Sequence, residues 1–203
     1  VPKTIKTLGD YAFSDCTSLK KVVIKPVGSI GSYVFNRCTA LEELTLPYAG
    51  SSLTAVNNTD SSGRVASRLF NNNASDKTYY DKWSYYIPNS LKKITITGGT
   101  RIPSYAFDGF SGVIEIVVPE SITSIGNYAF CNCSSLPSNQ MPSTVKVIGS
   151  HAYDGCKSLK TFTVPSSVET IGSYAFANCT GFTSITVPKT IKTLGDYAFS
   201  DCT

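Results

Sequence analysis

Seven cysteines and one histidine are the residues of this 203-residue chain whose types could support metal, redox or nucleophilic chemistry. Thiolate sulfurs and imidazole nitrogens are preferred zinc ligands, and a cysteine beside a histidine can act as a nucleophile with its base. Cys131 and Cys133 do not have the spacing of a convincing metal-binding pair. His151 has no carboxylate or nucleophile placed to build a triad with it. We therefore expect no catalytic site, no metal and no cofactor.

The spacing of the cysteines indicates a structural role. Six of them fall at the same position of a repeated phrase, so a column of buried thiols that pack against one another is expected. Parallel side chains in such a column have poor geometry for disulfides, although a disulfide or a metal remains an alternative. Cys131 is out of register and is predicted to be the most exposed thiol. The predicted structural column comprises Cys16, Cys38, Cys133, Cys156, Cys179 and Cys202.

Aspartates also recur, in the turn before the cysteine or its equivalent. They are better interpreted as turn-forming residues than as acid–base pairs, because their short polar side chains bond to nearby backbone. The four are Asp15, Asp108, Asp154 and Asp201.

The elements that position these residues follow from the repeat itself. The phrase at 125–130 returns at 148–153, 171–176 and 194–199, so its final aromatic residues are 23 residues apart. A fixed period of this length with apolar residues at constant phase is typical of leucine-rich solenoids, in which stacked units share one core.

One unit shows how the chain should fold. Within 159–164 the alternation predicts that Leu159, Phe162 and Val164 point inward while the intervening threonines face solvent. Pro165 then ends the strand, and Gly172 permits a tight turn. In this frame residues 1–203 form a single solenoid of eight units, the last of them incomplete. The units begin near Pro2, Pro26, Pro47, Gly98, Pro119, Pro142, Pro165 and Pro188.

The full motif, Pro-x-x-Val-x-x-Ile-Gly-x-Tyr-Ala-Phe-x-x-Cys-x-x-Leu-x-x-Ile-x-Val-Pro, resembles the BspA-like leucine-rich repeat family, of the type designated LRR_5. The resemblance covers nearly the whole chain and is close in six of the eight units. It implies a right-handed arc with a parallel β-sheet on its concave face and short turns or 3₁₀ turns on the convex side. It also implies a large surface or secreted protein that attaches to host, matrix or cell-surface partners, with no common catalytic site.

The third unit, 47–97, is enlarged by insertions near 57–64 and 71–87. Residues 65–70 are expected to carry its turn, with Asn73 in the cysteine position. Insertions on solenoids often lie on the binding face, and tyrosine and tryptophan are favoured interface anchors. The alternative is that the rings fold back over neighbouring strands. The aromatic candidates for partner binding are Tyr79, Tyr80, Trp83, Tyr85 and Tyr86.

The fifth unit departs from the pattern in its strand, 136–141. Asn139 stands at an inward position there, and a buried amide must find hydrogen-bond partners. The sequence therefore predicts a bulge or a weak strand.

Outward strand positions form two columns on the predicted concave face. Alternating lysine and glutamate in the first column should pair between adjacent strands and help to fix the register. The face is either an interaction surface for a protein or glycan or simply a solvated sheet. The first column is Lys21, Glu43, Lys93, Glu115, Ser138, Thr161 and Ser184, and the second is Val23, Thr45, Thr95, Val117, Gln140, Thr163 and Thr186. The binding candidates among them are Lys21, Glu43, Lys93, Glu115, Thr163 and Thr186.

Charge and length limit the functional classes. A net charge of +4, dispersed along the chain, does not favour a nucleic-acid partner. No apolar stretch has the length of a membrane span. A low charged fraction, with polarity supplied by hydroxyl and amide side chains, is typical of secreted or cell-surface proteins. We expect an extracellular adhesion or protein-interaction module.

Residues 1–17 and 187–203 are identical, which ordinary repeat similarity does not explain. Two hypotheses follow: a window of a longer array with a 186-residue super-repeat, or a chain whose like segments let copies assemble end to end as a stalk or filament. The structural role is the alternative to the adhesion function.

Overall fold

The computed structural model describes residues 4–49, 64–70, 87–138 and 141–203. Within these ranges the chain forms a parallel β-solenoid of about seven turns, as predicted, with two columns of short strands. The first column contains β2 (Lys21–Val23), β4 (Glu43–Leu46), β5 (Lys93–Ile96), β7 (Glu115–Val117), β10 (Thr161–Thr163) and β12 (Ser184–Thr186). The second contains β1 (Thr7–Leu8), β3 (Ser29–Ile30), β6 (Arg101–Ile102), β8 (Ser124–Ile125), β9 (Val147–Ile148), β11 (Thr170–Ile171) and β13 (Thr193–Leu194).

Strand alternation places one side chain inward and its neighbours outward. Leu159, Phe162 and Val164 are all at most 5% exposed, while Thr161 and Thr163 are exposed, which confirms the predicted inward set. The same inward position is filled by Val22, Leu44, Ile94 and Ile116 in the other units. Each unit therefore adds one apolar layer to a continuous core.

Each regular unit turns through two left-handed residues. The first is the aromatic of the Gly-x-Tyr-Ala-Phe phrase, with φ between 54° and 61° from Tyr11 to Tyr197. The second precedes the cysteine position. Asp15 and Asp201 occupy it themselves, whereas Asp108 and Asp154 stand one residue earlier, before Gly109 and Gly155. The aspartates are turn residues as predicted, but at two different positions.

Gly172 is needed for close approach between units. A Cβ there would lie 2.5 Å from the backbone nitrogen of Ser150 in the preceding unit, and its φ is not in the left-handed range. The expectation that Gly172 is needed for a tight turn was therefore wrong. The missing side chain instead allows the backbones of two adjacent units to approach closely.

The core aromatics stack in register along the solenoid. Neighbouring rings are 5.0–5.6 Å apart in two runs, Phe13 with Phe35, and Phe107 through Phe130, Tyr153 and Phe176 to Phe199. Because every unit contributes one ring at one height, this stack fixes the stagger of neighbouring turns.

In the described part of the third unit, the turn position is occupied by a short helix, α1 (Val65–Leu69). The carbonyl of Leu69 accepts from the Phe35 amide at 2.8 Å, and the amide of Val65 donates to Ala106 at 2.9 Å. Phe70 is fully buried. The prediction that 65–70 carries the turn is confirmed, while Asn73 lies outside the described residues.

The fifth unit interrupts the first column, so β7 and β10 belong to different sheets. Where neighbouring strands pair, the amide just before each strand donates to the backbone carbonyl at the same position of the preceding unit. The amides of Glu42, Lys92 and Ile114 donate in this way to the carbonyls of Lys20, Glu42 and Lys92, respectively. Pro137 stands at the corresponding position and has no N–H. Residues 136–138 form no strand, in agreement with the predicted weak strand. Asn139 lies outside the described residues.

Candidate functional site

The candidate site is the outward face, defined here as the solvent-facing positions of the first strand column. Lys21 aligns with Glu43, Glu43 with Lys93, and Lys93 with Glu115 across four hydrogen-bonded strands. The second column of this face, Val23, Thr45, Thr95 and Val117, aligns in the same register. The two outward columns predicted from the sequence are therefore real over β2 to β7.

Opposite charges in this register form ion pairs. The Lys21 ammonium lies 2.5 Å from the Glu43 carboxylate, and the Lys93 ammonium 2.7 Å from Glu115. The hydrogen bond from Lys21, its charge and then the charge of Lys93 hold the pKa of the Glu43 carboxyl below its ordinary value. The predicted pairing between strands is confirmed. Because each lysine faces a glutamate, much of the charge of this column is neutralised within the face.

Beyond the interruption the outward face is hydroxylated. Thr161 aligns with Ser184 and Thr163 with Thr186, and all four are exposed. Between the charged and hydroxylated parts lies a groove of about 670 Å³. Its lining combines apolar side chains with two carboxylates: Ile114, Glu115, Ile116, Val117, Val118, Glu120, Ser138, Met141 and Thr163. The signal in the sequence that marks this groove is Pro137.

Some predicted site residues cannot be placed. Tyr79, Tyr80, Trp83, Tyr85, Tyr86 and Gln140 lie outside the described residues.

The predicted buried thiol column holds for Cys38, Cys133, Cys156 and Cys179, but Cys202 is half-buried and Cys16 is exposed, which corrects the prediction at both of these positions. The thiols also form hydrogen bonds that the repeat pattern did not predict. Each thiol from the second unit onward donates to the carbonyl of the core aromatic one unit earlier. Cys133 reaches Phe107, Cys156 reaches Phe130 and Cys179 reaches Tyr153, each at 3.1 Å. Burial raises the pKa of Cys179 to about 12, so these thiols are held protonated. All seven cysteines are free in the structure.

Cys131 is buried, at 7% exposure, so the prediction that it is the most exposed thiol was wrong. Burial, followed by the charges of Asp108 and Asp154, raises the pKa of Cys131. The exposed thiol is Cys16.

His151 takes part in a second ring stack on the surface side of the turns. Its ring lies 4.5 Å from that of Tyr128 and 4.9 Å from that of Tyr174, and Nδ1 contacts the Asp154 carboxylate at 2.8 Å. Tyr105 and Tyr197 extend the stack at either end. The contact with Asp154 corrects the expectation that no carboxylate is placed beside His151. Both faces of the imidazole are occupied by neighbouring rings, so His151 acts in packing.

A buried ion pair joins the third and fourth units and has no signal in the repeat pattern. Arg64, directly before α1, lies 2.9 Å from Asp108, and its guanidinium sits 4.5 Å from the centre of the Tyr105 ring. No motif links residues 44 positions apart, so only the stacking of the third and fourth units reveals it.

Among the described residues, histidine, cysteine, aspartate and glutamate side chains form no group of three suited to hold a metal ion. Over the same part of the chain, no helix has the length and apolarity to cross a bilayer.

Comparison with known proteins agrees with the repeat architecture. A family model described as BspA type Leucine rich repeat region matches residues 1–77 and 81–203 in six copies. No curated protein sequence matches the chain.

Solved structures show similar folds. A Treponema pallidum leucine-rich repeat protein is 22% identical at a TM-score of 0.50, with 96% of this chain and 71% of that protein aligned. The pneumococcal vaccine antigen PcpA is 21% identical at 0.50, with 100% and 54% aligned. A Bacteroides ovatus leucine-rich repeat protein is 25% identical at 0.48, and this chain spans 39% of its length.

Proposed function

We propose, from the premise that this chain belongs to the BspA-type leucine-rich repeat family, that it is a protein-interaction module whose partner binds the outward face. The observation that carries the proposal is the register of that face. Four paired strands present aligned charges and aligned Val and Thr side chains, and these continue into a groove of about 670 Å³. Clefts in which a few placed polar groups meet a ligand are common binding sites of proteins.

The chemistry of the face favours a protein surface or an extended segment. Val23 is 37% and Val117 39% exposed, so apolar surface stands beside the charged column. Because each ammonium and carboxylate of the column already has a partner, the net charge of the face is small. Affinity would then come from apolar contact and hydrogen bonds, with a glycan as the competing ligand class.

We further propose that the module acts at a cell surface or in the extracellular space, as an adhesion protein. The charged fraction of 16% with abundant hydroxyl and amide residues supports this location. The aromatic insertion, 79–86, is proposed as a second contact. The fold is a repeat scaffold, and we propose no enzymatic activity.

A matched pair of substitutions tests the outward face. Val117→Arg places a charge on the outward face, whereas Val147→Arg places a charge away from it, on β9 of the second strand column. The two valines are similarly exposed, at 39% and 41%. Labelled chain is applied to arrays of matrix proteins and of glycans. Loss of binding with Val117→Arg and retention with Val147→Arg support the proposal, and equal binding by both variants contradicts it.

The insertion is tested separately with Trp83→Ala and Tyr85→Ala. Weaker binding on the same arrays, with an unchanged unfolding transition, is the expected result. Unchanged affinity removes the insertion from the interface while leaving the outward face in place.

A second candidate is a structural role in end-to-end assembly. The observation that favours it is the identity of 1–17 with 187–203. Light scattering tests assembly, and the intact mass of the native protein tests the alternative of a longer array. A native mass near 21.8 kDa excludes the longer array.

A further inference from the structure

The interrupted fifth unit leaves a backbone acceptor of the fourth unit without its usual donor. Where units pair, the carbonyls of Lys20, Glu42 and Lys92 accept from amides of the unit that follows. Ile114 has the equivalent position in the fourth unit, and its carbonyl accepts from no backbone amide among the described residues. The edge of the fourth unit beside β7 therefore presents an acceptor to the groove.

The sixth unit presents the complementary donors on the other side of the groove. By the same pattern, the amides of Lys160 and Thr161 should donate to the carbonyl of Pro137. Neither amide has a backbone acceptor within the described part of the fifth unit. Leu136 is fully buried, whereas Pro137 and Ser138 are exposed, so the fifth unit completes the core and then departs from the sheet.

The separation of these two edges suits one further strand. In the second strand column, β6, β8 and β9 of the same three units remain paired, so the stacking of the units continues past the interruption. Adjacent strands lie about 4.8 Å apart, which places edges two positions apart at about 10 Å. The groove between them has a volume of about 670 Å³. An extended segment there can donate to one edge and accept from the other, which is how added strands bind to sheets.

An exposed apolar side chain marks the rim of the groove. Ile114 is 51% exposed, at a position that is polar in the other units with a described strand in the first column. Those equivalents are Lys20, Glu42, Lys92, Lys160 and Thr183. Val117 and Met141 add apolar surface to the same groove. An apolar side chain of a bound segment therefore removes further apolar area from water at this rim.

The groove also has a carboxylate whose described partners are neutral. Glu120 accepts from the amide and the hydroxyl of Ser143 at 3.1 and 3.0 Å. Glu115, the other carboxylate of the lining, is already paired with Lys93. No lysine or arginine lines the groove among the described residues. A basic side chain would form a charge-assisted hydrogen bond with Glu120, so the groove favours a basic segment over an acidic one.

We propose that the groove binds an extended, basic segment of a partner protein as an added β-strand between the fourth and sixth units. This inference rests on the proposed protein-interaction function and specifies the chemistry of the partner. The segment pairs its backbone with the Ile114 carbonyl and with the amides of Lys160 and Thr161. It places an apolar side chain against Ile114 and a cation beside Glu120.

Synthetic peptides test the added strand on the full chain. The probe is a fluorescent library of peptides of about six residues, the usual length of a strand, with one lysine and alternating apolar and threonine positions. One matched library is N-methylated at every second residue, and another has glutamate in place of lysine. Each lost hydrogen bond changes an equilibrium constant by about threefold to tenfold, so N-methylation should weaken binding by about tenfold or more.

The matched libraries separate the two parts of the proposal. Fluorescence polarisation should show weaker binding by the N-methylated peptides and by the glutamate peptides. Equal binding by the N-methylated peptides overturns the added strand, because side chains alone would then hold the segment. Equal binding by the glutamate peptides overturns the preference for a basic segment.

Substitutions in the chain locate the binding site. Ile114→Lys restores the polar residue type of the other units, and Val147→Lys makes the same change at a similarly exposed position away from the outward face. We expect Ile114→Lys and Glu120→Gln each to weaken binding by about threefold to tenfold, and Val147→Lys to leave it unchanged. The unfolding temperature of each variant shows that it is folded. Equal binding by Ile114→Lys and Val147→Lys overturns the assignment to the groove.

Amide hydrogen exchange gives a readout that does not depend on any substitution. The bound peptide should protect the amides of Lys160 and Thr161 from exchange. Binding without this protection overturns the added strand. No binding by the parent library at about 1 mM also overturns it, whereas a loss of array binding in Val117→Arg would still support the outward face as an interaction surface.

Discussion

The guanidinium of Arg64 and the carboxylate of Asp108 form an ion pair at 2.9 Å in which the two side chains are only 9% and 7% exposed. The pair joins the start of α1 in the third unit to the turn of the fourth. It therefore links the enlarged unit electrostatically to the regular array that follows.

Breaking this pair from one side should destabilise the chain strongly. Arg64→Ala leaves the Asp108 carboxylate buried without its main counter-charge, which typically costs about 3–5 kcal/mol. The double variant Arg64→Leu with Asp108→Leu should lose less, because no charge remains buried. Thermal unfolding of the wild type, Arg64→Ala and the double variant measures their order of stability. A double variant less stable than Arg64→Ala would contradict the prediction.

Thiol reactivity should single out one cysteine. Cys16 is exposed, while burial raises the pKa of Cys38 to about 11 and that of Cys179 to about 12. At pH 8 only about one Cys38 side chain in a thousand is a thiolate, the reactive form. A brief treatment with an alkylating reagent followed by peptide mapping should find Cys16 modified first. Early modification of Cys131 would contradict the buried position found for it.

Alkaline pH should weaken the fold through the same thiols. Their pKa values are higher in the folded chain than in the unfolded chain, so the native state binds protons more tightly. This contribution is complete below about pH 9 and is lost as the pH rises towards 11 and above. The midpoint of urea unfolding should fall over that window. Cys156→Ala should reduce the pH dependence, whereas Cys16→Ala, at the exposed position, should not.

Reversing one charge in the outward face should destabilise it in a salt-dependent way. Glu43→Lys would place three ammonium groups in adjacent strands, at Lys21, 43 and Lys93. The unfolding temperature should drop at low ionic strength and recover in about 1 M salt, where the Debye length is about 3 Å. Thr45→Lys, in the neighbouring column, is the control. Equal losses at both salt concentrations would mean that packing is responsible.

Restoring the missing amide should strengthen the interrupted sheet. Lysine occupies the equivalent position, Lys160, in the next unit. Pro137→Lys restores a backbone N–H that can donate to the carbonyl of Ile114. One net hydrogen bond contributes about 0.5–1.5 kcal/mol. Calorimetry should show a higher unfolding temperature, with Ser138→Lys as the control. A lower temperature for Pro137→Lys would show that the interruption has another cause.

The repeat period predicted the solenoid, the inward strand residues and the lysine–glutamate pairing, because all three depend only on residue type and phase. Repeat phase does not show that a proline lacks an N–H, so the prediction of a weak strand rests on Asn139, whereas Pro137 supplies the physical cause. Cys131 was misplaced because it is out of register in sequence, although its turn directs the side chain inward. The Arg64–Asp108 pair depends on how an enlarged unit stacks, which the period does not encode.

The interruption at the fifth unit has a mechanical consequence. Strand hydrogen bonds in this solenoid run along the stacking direction, so tension along that direction loads them end-on and opens them one rung at a time. The rung at Pro137 lacks one such bond and should yield before its neighbours. A chain pulled between two surfaces would then extend first at the groove.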